Sequence, residues 1–131
     1  MVLGLVPVSV LAASTGTNEH THCVCGVSDC GDESHGGDRT WIGISHPYDI
    51  EGPGNYYLTQ NVQLEGRWHL SSGTGEVNLC LNGHTITWAG NTSMQNAVIL
   101  IMGGNLTVTD CQKYTGQITR TNSKDGVIIY N

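Results

Sequence analysis

Residues 77–87 read Val-Asn-Leu-Cys-Leu-Asn-Gly-His-Thr-Ile-Thr, and most of that pattern returns later in the chain. Val77, Leu79 and Leu81 alternate with Asn78, Cys80 and Asn82, which gives a strand one apolar face and one polar face. Asn82-Gly83 bends the chain, and Thr85-Ile86-Thr87 is extended again. Leu106 and Val108 echo Leu79 and Leu81, residues 117–119 echo 85–87, and 126–130 echo 97–101. Interleaved echoes at a similar offset mark a repeat architecture, in which each unit is one coil stacked on the last. The expected fold class is therefore all-β, the start of a parallel β-solenoid of about two coils. In such a stack Leu79 should lie over Leu106, Leu81 over Val108, and Val98 over Val127. An antiparallel sandwich is the competing class.

Residues 81–86, Leu-Asn-Gly-His-Thr-Ile, resemble the segment that opens right-handed parallel β-helices of the pectin-lyase-like type. The run 54–59, Trp68, residues 78–87 and residues 106–111, with the upstream His22-Cys23-Val24-Cys25-Gly26, resemble large secreted surface proteins of Gram-positive anaerobes. The resemblance implies a right-handed parallel β-helix and export. It implies no particular activity, because one fold hosts many functions.

Three parts are expected. Residues 1–13 are apolar and exit through small residues, as the core and cleavage site of a secretory signal do. No Lys or Arg precedes the apolar run, so Met1 reads as an internal methionine with the true start upstream. That places the protein outside the cell or on its surface. Residues 14–46 are poor in aliphatics and rich in Gly, Asp, His and Cys. Such a segment buries too little apolar surface to fold by that means and needs a staple, or else is a flexible arm. Residues 47–131 carry the strands. Within them, 47–68 with Tyr56, Tyr57 and Trp68 should cap the first coil. A solenoid of two coils is short of a stable stack, so further coils of the same chain are expected downstream.

His20, His22, Cys23, Cys25, Cys30 and His35 crowd into one short stretch. Thiolate and imidazole are the ligands zinc prefers, and Cys23, Cys25, Cys30 and His35 form a Cys₃His set, with His20 or His22 as substitutes. The single residue between Cys23 and Cys25 departs from the usual spacing, and adjacent His22 and Cys23 do not easily enter one tetrahedron. Export equally permits disulfides. With five cysteines, one arrangement pairs Cys80 with Cys111 and leaves three for zinc. Another pairs Cys25 with Cys30.

Eleven acidic residues against five basic ones give a net charge of −6, so no basic groove for nucleic acid is expected. The apolar run at the start is too short to span a bilayer. Asp110 and Asp125 are not one coil apart, so they read as turn residues rather than the paired carboxylates of a glycosidase. His84 reads as a turn residue that fixes a coil. Trp41 and Trp88 are candidate glycan contacts, because exposed aromatic faces stack on sugars and Arg67, Asn91 and Gln95 could bind hydroxyls. The functional expectation is a non-catalytic structural or adhesive module, with polysaccharide or a host surface glycan as partner. The alternative is the first part of a polysaccharide lyase or glycoside hydrolase whose catalytic coils lie downstream.

Overall fold

The computed structural model describes residues 20–89, 98–113, 115–121 and 129–130, the last two by backbone alone. The protein is all-β, and the described residues form eleven short strands: β1 (His20–His22), β2 (Arg39–Ile44), β3 (Gly54–Leu58), β4 (Val62–Leu64), β5 (Trp68–Ser71), β6 (Glu76–Cys80), β7 (Thr85–Trp88), β8 (Ile99–Met102), β9 (Asn105–Thr109), β10 (Gln117–Arg120) and β11 (Ile129–Tyr130). Three sheets have the orders β1-β2-β3-β6-β9, β10-β7-β4 and β11-β8-β5. From β3 onward the chain visits the three sheets in the same sequence three times. Every pairing among β2 to β11 is parallel. The antiparallel pair is β1 with β2.

The pleat explains the core. In β3, β6 and β9 alternate residues point inward, so Tyr56, Leu79 and Val108 align across three strands. In the second sheet Val62, Ile86 and Ile118 align, and in the third Trp68 lies beside Ile99. All of these but Val108 and Ile118 belong to one apolar cluster, completed by Ile44, Leu58, Leu64, Leu70, Val77, Leu81, Trp88, Val98 and Ile101. Leu79 and Ile86 are wholly buried, whereas Leu106, Val108 and Ile118 of the third round are partly buried against the cluster.

The stack differs from the sequence expectation in three ways. The register places Val77 beside Leu106 and Leu79 beside Val108, two residues away from the expected pairs. The inward face is the expected one, because a shift of two preserves the pleat. Leu81 has left the strand and donates its amide to Thr109 O at 2.8 Å. Residues 117–119 do lie beside 85–87. The expected pair Val98–Val127 lies partly outside the described residues, as do the signal segment 1–13, Asn91, Gln95 and Asp125.

The second difference is the number of rounds, three instead of about two. Residues 54–71 do not cap the stack; they are its first round. Tyr56 and Trp68 are buried core residues of that round. The edge of β3 is covered by β2, and the 3-10 turn Pro47–Asp49 that follows is tied to this round where the Tyr48 hydroxyl donates to Gly66 O at 2.9 Å. The third difference lies at the boundary expected near residue 46. The first sheet runs straight across it, since β2 pairs with β3.

Corners between sheets are pinned from one round to the next. Asn82 takes a left-handed conformation with φ 50°, and Gly83 follows with φ 76°. Asn82 Nδ2 donates to Leu58 O of the round before at 3.1 Å, and its Oδ1 accepts from Gln112 Nε2 of the round after at 3.2 Å. Asn61 Oδ1 accepts the Thr85 amide at 3.0 Å at the next corner. On the outward face of the first sheet, Asn78 Nδ2 donates to Asn55 Oδ1 at 2.9 Å. Asp110 is more than a solvated turn residue: it accepts the amides of Gly83 and Gly116, each at 2.7 Å. Burial raises its pKa, but the amides of Gly116, Gly83, Gln112 and Thr115 outweigh that and hold it below the usual value.

Candidate metal centres

β2 makes the site by bending its partnerships. Its first half, Arg39 to Trp41, pairs with β1, and its second half, Ile42 to Ile44, pairs with β3. β1 and the loop after it can thereby fold over the outward face of the first sheet. Trp41 fixes the fold-over, with Nε1 donating to His22 O at 2.8 Å and the two rings 4.3 Å apart. His20 stacks on Tyr57 at 4.2 Å. Gly26, at φ +85°, lies so close to β9 that a Cβ there would meet Thr109 Oγ1 at 2.7 Å and Asp110 O at 2.8 Å.

Two groups of four ligand atoms converge, each with all four atoms within 4.8 Å of one another. One is Cys23, Cys25, Cys30 and His35; the other is His20, His22, Cys80 and Cys111. The first is the Cys₃His set read from the sequence. Cys23 and Cys25 sulfurs are paired, Cys25 Sγ is 3.5 Å from Cys30 Sγ, and Cys30 Sγ is 3.3 Å from His35 Nδ1. A tight turn gathers the first two, the Gly26 amide donating to Cys23 O at 3.0 Å. His35 closes the 3-10 turn Glu33–His35, whose N-cap Asp32 accepts the Ser34 amide at 2.9 Å. Asp32 Oδ2 also stands 3.7 Å from His35 Nε2. A carboxylate behind the distal ring nitrogen is the arrangement that orients metal-bound histidines.

The second group shows why adjacent His22 and Cys23 are compatible. Side chains alternate along β1 and its extension, so His20 and His22 face one site and Cys23 turns to the other. His20 Nε2 is 2.9 Å from His22 Nε2 and 3.4 Å from Cys111 Sγ, and Cys111 Sγ is 3.4 Å from Cys80 Sγ. His22 Nδ1 lies 2.6 Å from Cys23 O, so it carries the proton and the unprotonated Nε2 faces His20. Burial, then the neighbouring His22, lowers the His20 pKa, which favours the neutral, ligating imidazole. Burial, then Cys80, pushes the Cys111 thiol up to about 12.

Cys80 and Cys111, one of the candidate disulfide pairs, are neighbours with free thiols that share their site with two histidines. A signal for this was present in the sequence: His20-x-His22 shares a face by alternation, and Cys80 lies on the outward phase of its strand. The glycan expectation fails for both tryptophans. Trp41 is 3% and Trp88 1% exposed, so neither offers a ring face to a sugar. Trp88 instead packs in the core with the Arg120 guanidinium 4.7 Å above its ring. His84 serves the corner through its backbone, its amide donating to Leu81 O at 2.8 Å.

No family model, curated protein or solved structure matches the chain. Among the described residues no helix is long and apolar enough to cross a membrane.

Proposed function

We propose that this chain is a non-catalytic scaffold module, the opening rounds of a right-handed parallel β-helix in a secreted or cell-surface protein, stapled at its Cys/His segment by zinc. The threefold return of the chain through the same three sheets supports the β-helix. The resemblance of residues 81–86 to the start of pectin-lyase-like helices agrees with it.

The convergence of Cys23, Cys25, Cys30 and His35 carries the staple. Soft sulfur with imidazole in a closed set of four is the donor chemistry of structural zinc. Magnitudes favour metal over a Cys23–Cys25 disulfide as the ordering force. That disulfide spans a sequence separation of 2, and closing so short a loop removes only roughly 1–2 kcal/mol of chain entropy. A structural zinc site contributes an apparent ~10–16 kcal/mol at neutral pH. Elemental analysis with thiol counting tests the proposal. The protein purified with zinc should hold metal that Cys30→Ser reduces by about one equivalent. Metal-free protein with Cys23 and Cys25 stably oxidised would refute the staple.

A further inference from the structure

We infer that His20, His22, Cys80 and Cys111 form a second, separate metal site, a His₂Cys₂ clamp for a borderline divalent ion of the zinc class. It goes beyond the scaffold reading, because its ligands come from opposite ends of the fold. His20 and Cys111 are 91 residues apart in sequence. β1 supplies the two imidazoles, β6 supplies Cys80, and the turn after β9 supplies Cys111.

Three observations carry it. The first is distance. Bonds of about 2.3 Å to sulfur and 2.0–2.1 Å to nitrogen set tetrahedral edges of about 3.8 Å for S···S, 3.5 Å for S···N and 3.3 Å for N···N. The observed contacts are 3.4 Å for Cys80 to Cys111, 3.4 Å for Cys111 to His20 and 2.9 Å for His20 to His22. The second is enclosure. His22 and Cys80 are buried and the other two half-buried, so the site is shielded on its protein side. The third is support for the ligands. His22 is oriented through Nδ1 by Cys23 O and flanked by Trp41, and His20 is stacked on Tyr57. Such outer partners fix ring orientation and tautomer at metal sites.

The site would do what the first cannot. The Cys₃His set closes a loop within residues 23–35. The His₂Cys₂ set ties that loop to β6 and to the corner after β9, holding the segment down on the outward face of the first sheet. The two sites touch through one group: Cys23 O orients His22 of the second site while Cys23 Sγ belongs to the first. Loading one should therefore preorganise the other.

Stoichiometry in the full chain tests it. The reduced protein loaded with zinc should bind two equivalents, Cys111→Ser one and Cys30→Ser one. One equivalent in the wild type, lost in Cys30→Ser and kept in Cys111→Ser, would overturn the clamp and leave the first site standing. The reverse loss would uphold the clamp and remove the first site. The cadmium-113 spectrum of the wild type gives a reading even if a variant fails to fold: two resonances are expected, from S₂N₂ and S₃N ligation. A single S₃N resonance overturns the clamp. So does a Cys80–Cys111 disulfide in protein isolated without reductant, if reducing it does not restore a second equivalent.

Discussion

Single side chains in this protein act mostly as pins for backbone groups, and two carboxylates show it. Asp49 Oδ2 accepts the amide of His46 at 2.8 Å and the hydroxyl of Ser45 at 3.0 Å, closing the capping box of the 3-10 turn. The His46 amide, then the Ser45 hydroxyl, hold its pKa below the usual value. A depressed folded-state pKa contributes stability above the unfolded value of about 3.9, lost as pH falls through the folded one. Asp49→Asn should therefore lower the urea midpoint at neutral pH, and the gap from wild type should close in acid as the native carboxyl protonates. A gap that persists unchanged in acid would refute this account. Asp32 sits behind His35. Asp32→Asn should weaken zinc binding at the first site about tenfold, as loss of an outer-shell carboxylate does. Competition with a chromophoric chelator measures it, and an unchanged affinity would show that Asp32 serves only as the N-cap.

At the scale of the strand, alternation decides the cost of a change. Leu79 is wholly buried between Tyr56 and Val108. Leu79→Ala should cost about 2–5 kcal/mol, from lost transfer energy and the cavity left behind. Thr107, on the outward face of β9, is exposed. Thr107→Asp should cost about 0.5 kcal/mol or less. Urea unfolding of the pair checks the pleat assignment, and similar costs at both sites would mean that β6 and β9 face otherwise. The echo between residues 77–82 and 105–110 disclosed this face but not its register. Two alignments that differ by two residues bury the same apolar set, so only the corner contacts, such as Leu81 to Thr109 O, choose between them. The first round was hidden for a related reason. Gly54–Leu58 pairs with β6 across a shorter step than β6 with β9, and no Asn-Gly corner marks it.

The whole molecule joins an apolar stack to a segment with almost no core of its own. Between β1 and β2, among the described residues, only Cys23 is fully buried. Chelation should therefore act unevenly. EDTA under reducing conditions should expose residues 23–38 to rapid proteolysis while residues 54–88, held by the apolar cluster, stay protected. Peptide mapping after brief digestion reads this directly. Equal protection with and without chelator would mean that Trp41 and the β1–β2 pairing hold the segment without metal.

Sequence alone determined the all-β class, the inward face of β6 and β9, the Asn82-Gly83 corner and the Cys23, Cys25, Cys30 and His35 set. Each depends on spacing over a few residues, which period-two geometry and ligand chemistry translate directly into structure. Tertiary structure alone decided the three rounds, the register, the burial of Trp41 and Trp88, and the meeting of His20 and His22 with Cys80 and Cys111. Those outcomes turn on β2 dividing its partners between β1 and β3, and on which strand lies beside which. Both are set by packing across long stretches of chain, where a local pattern allows several answers of nearly equal energy.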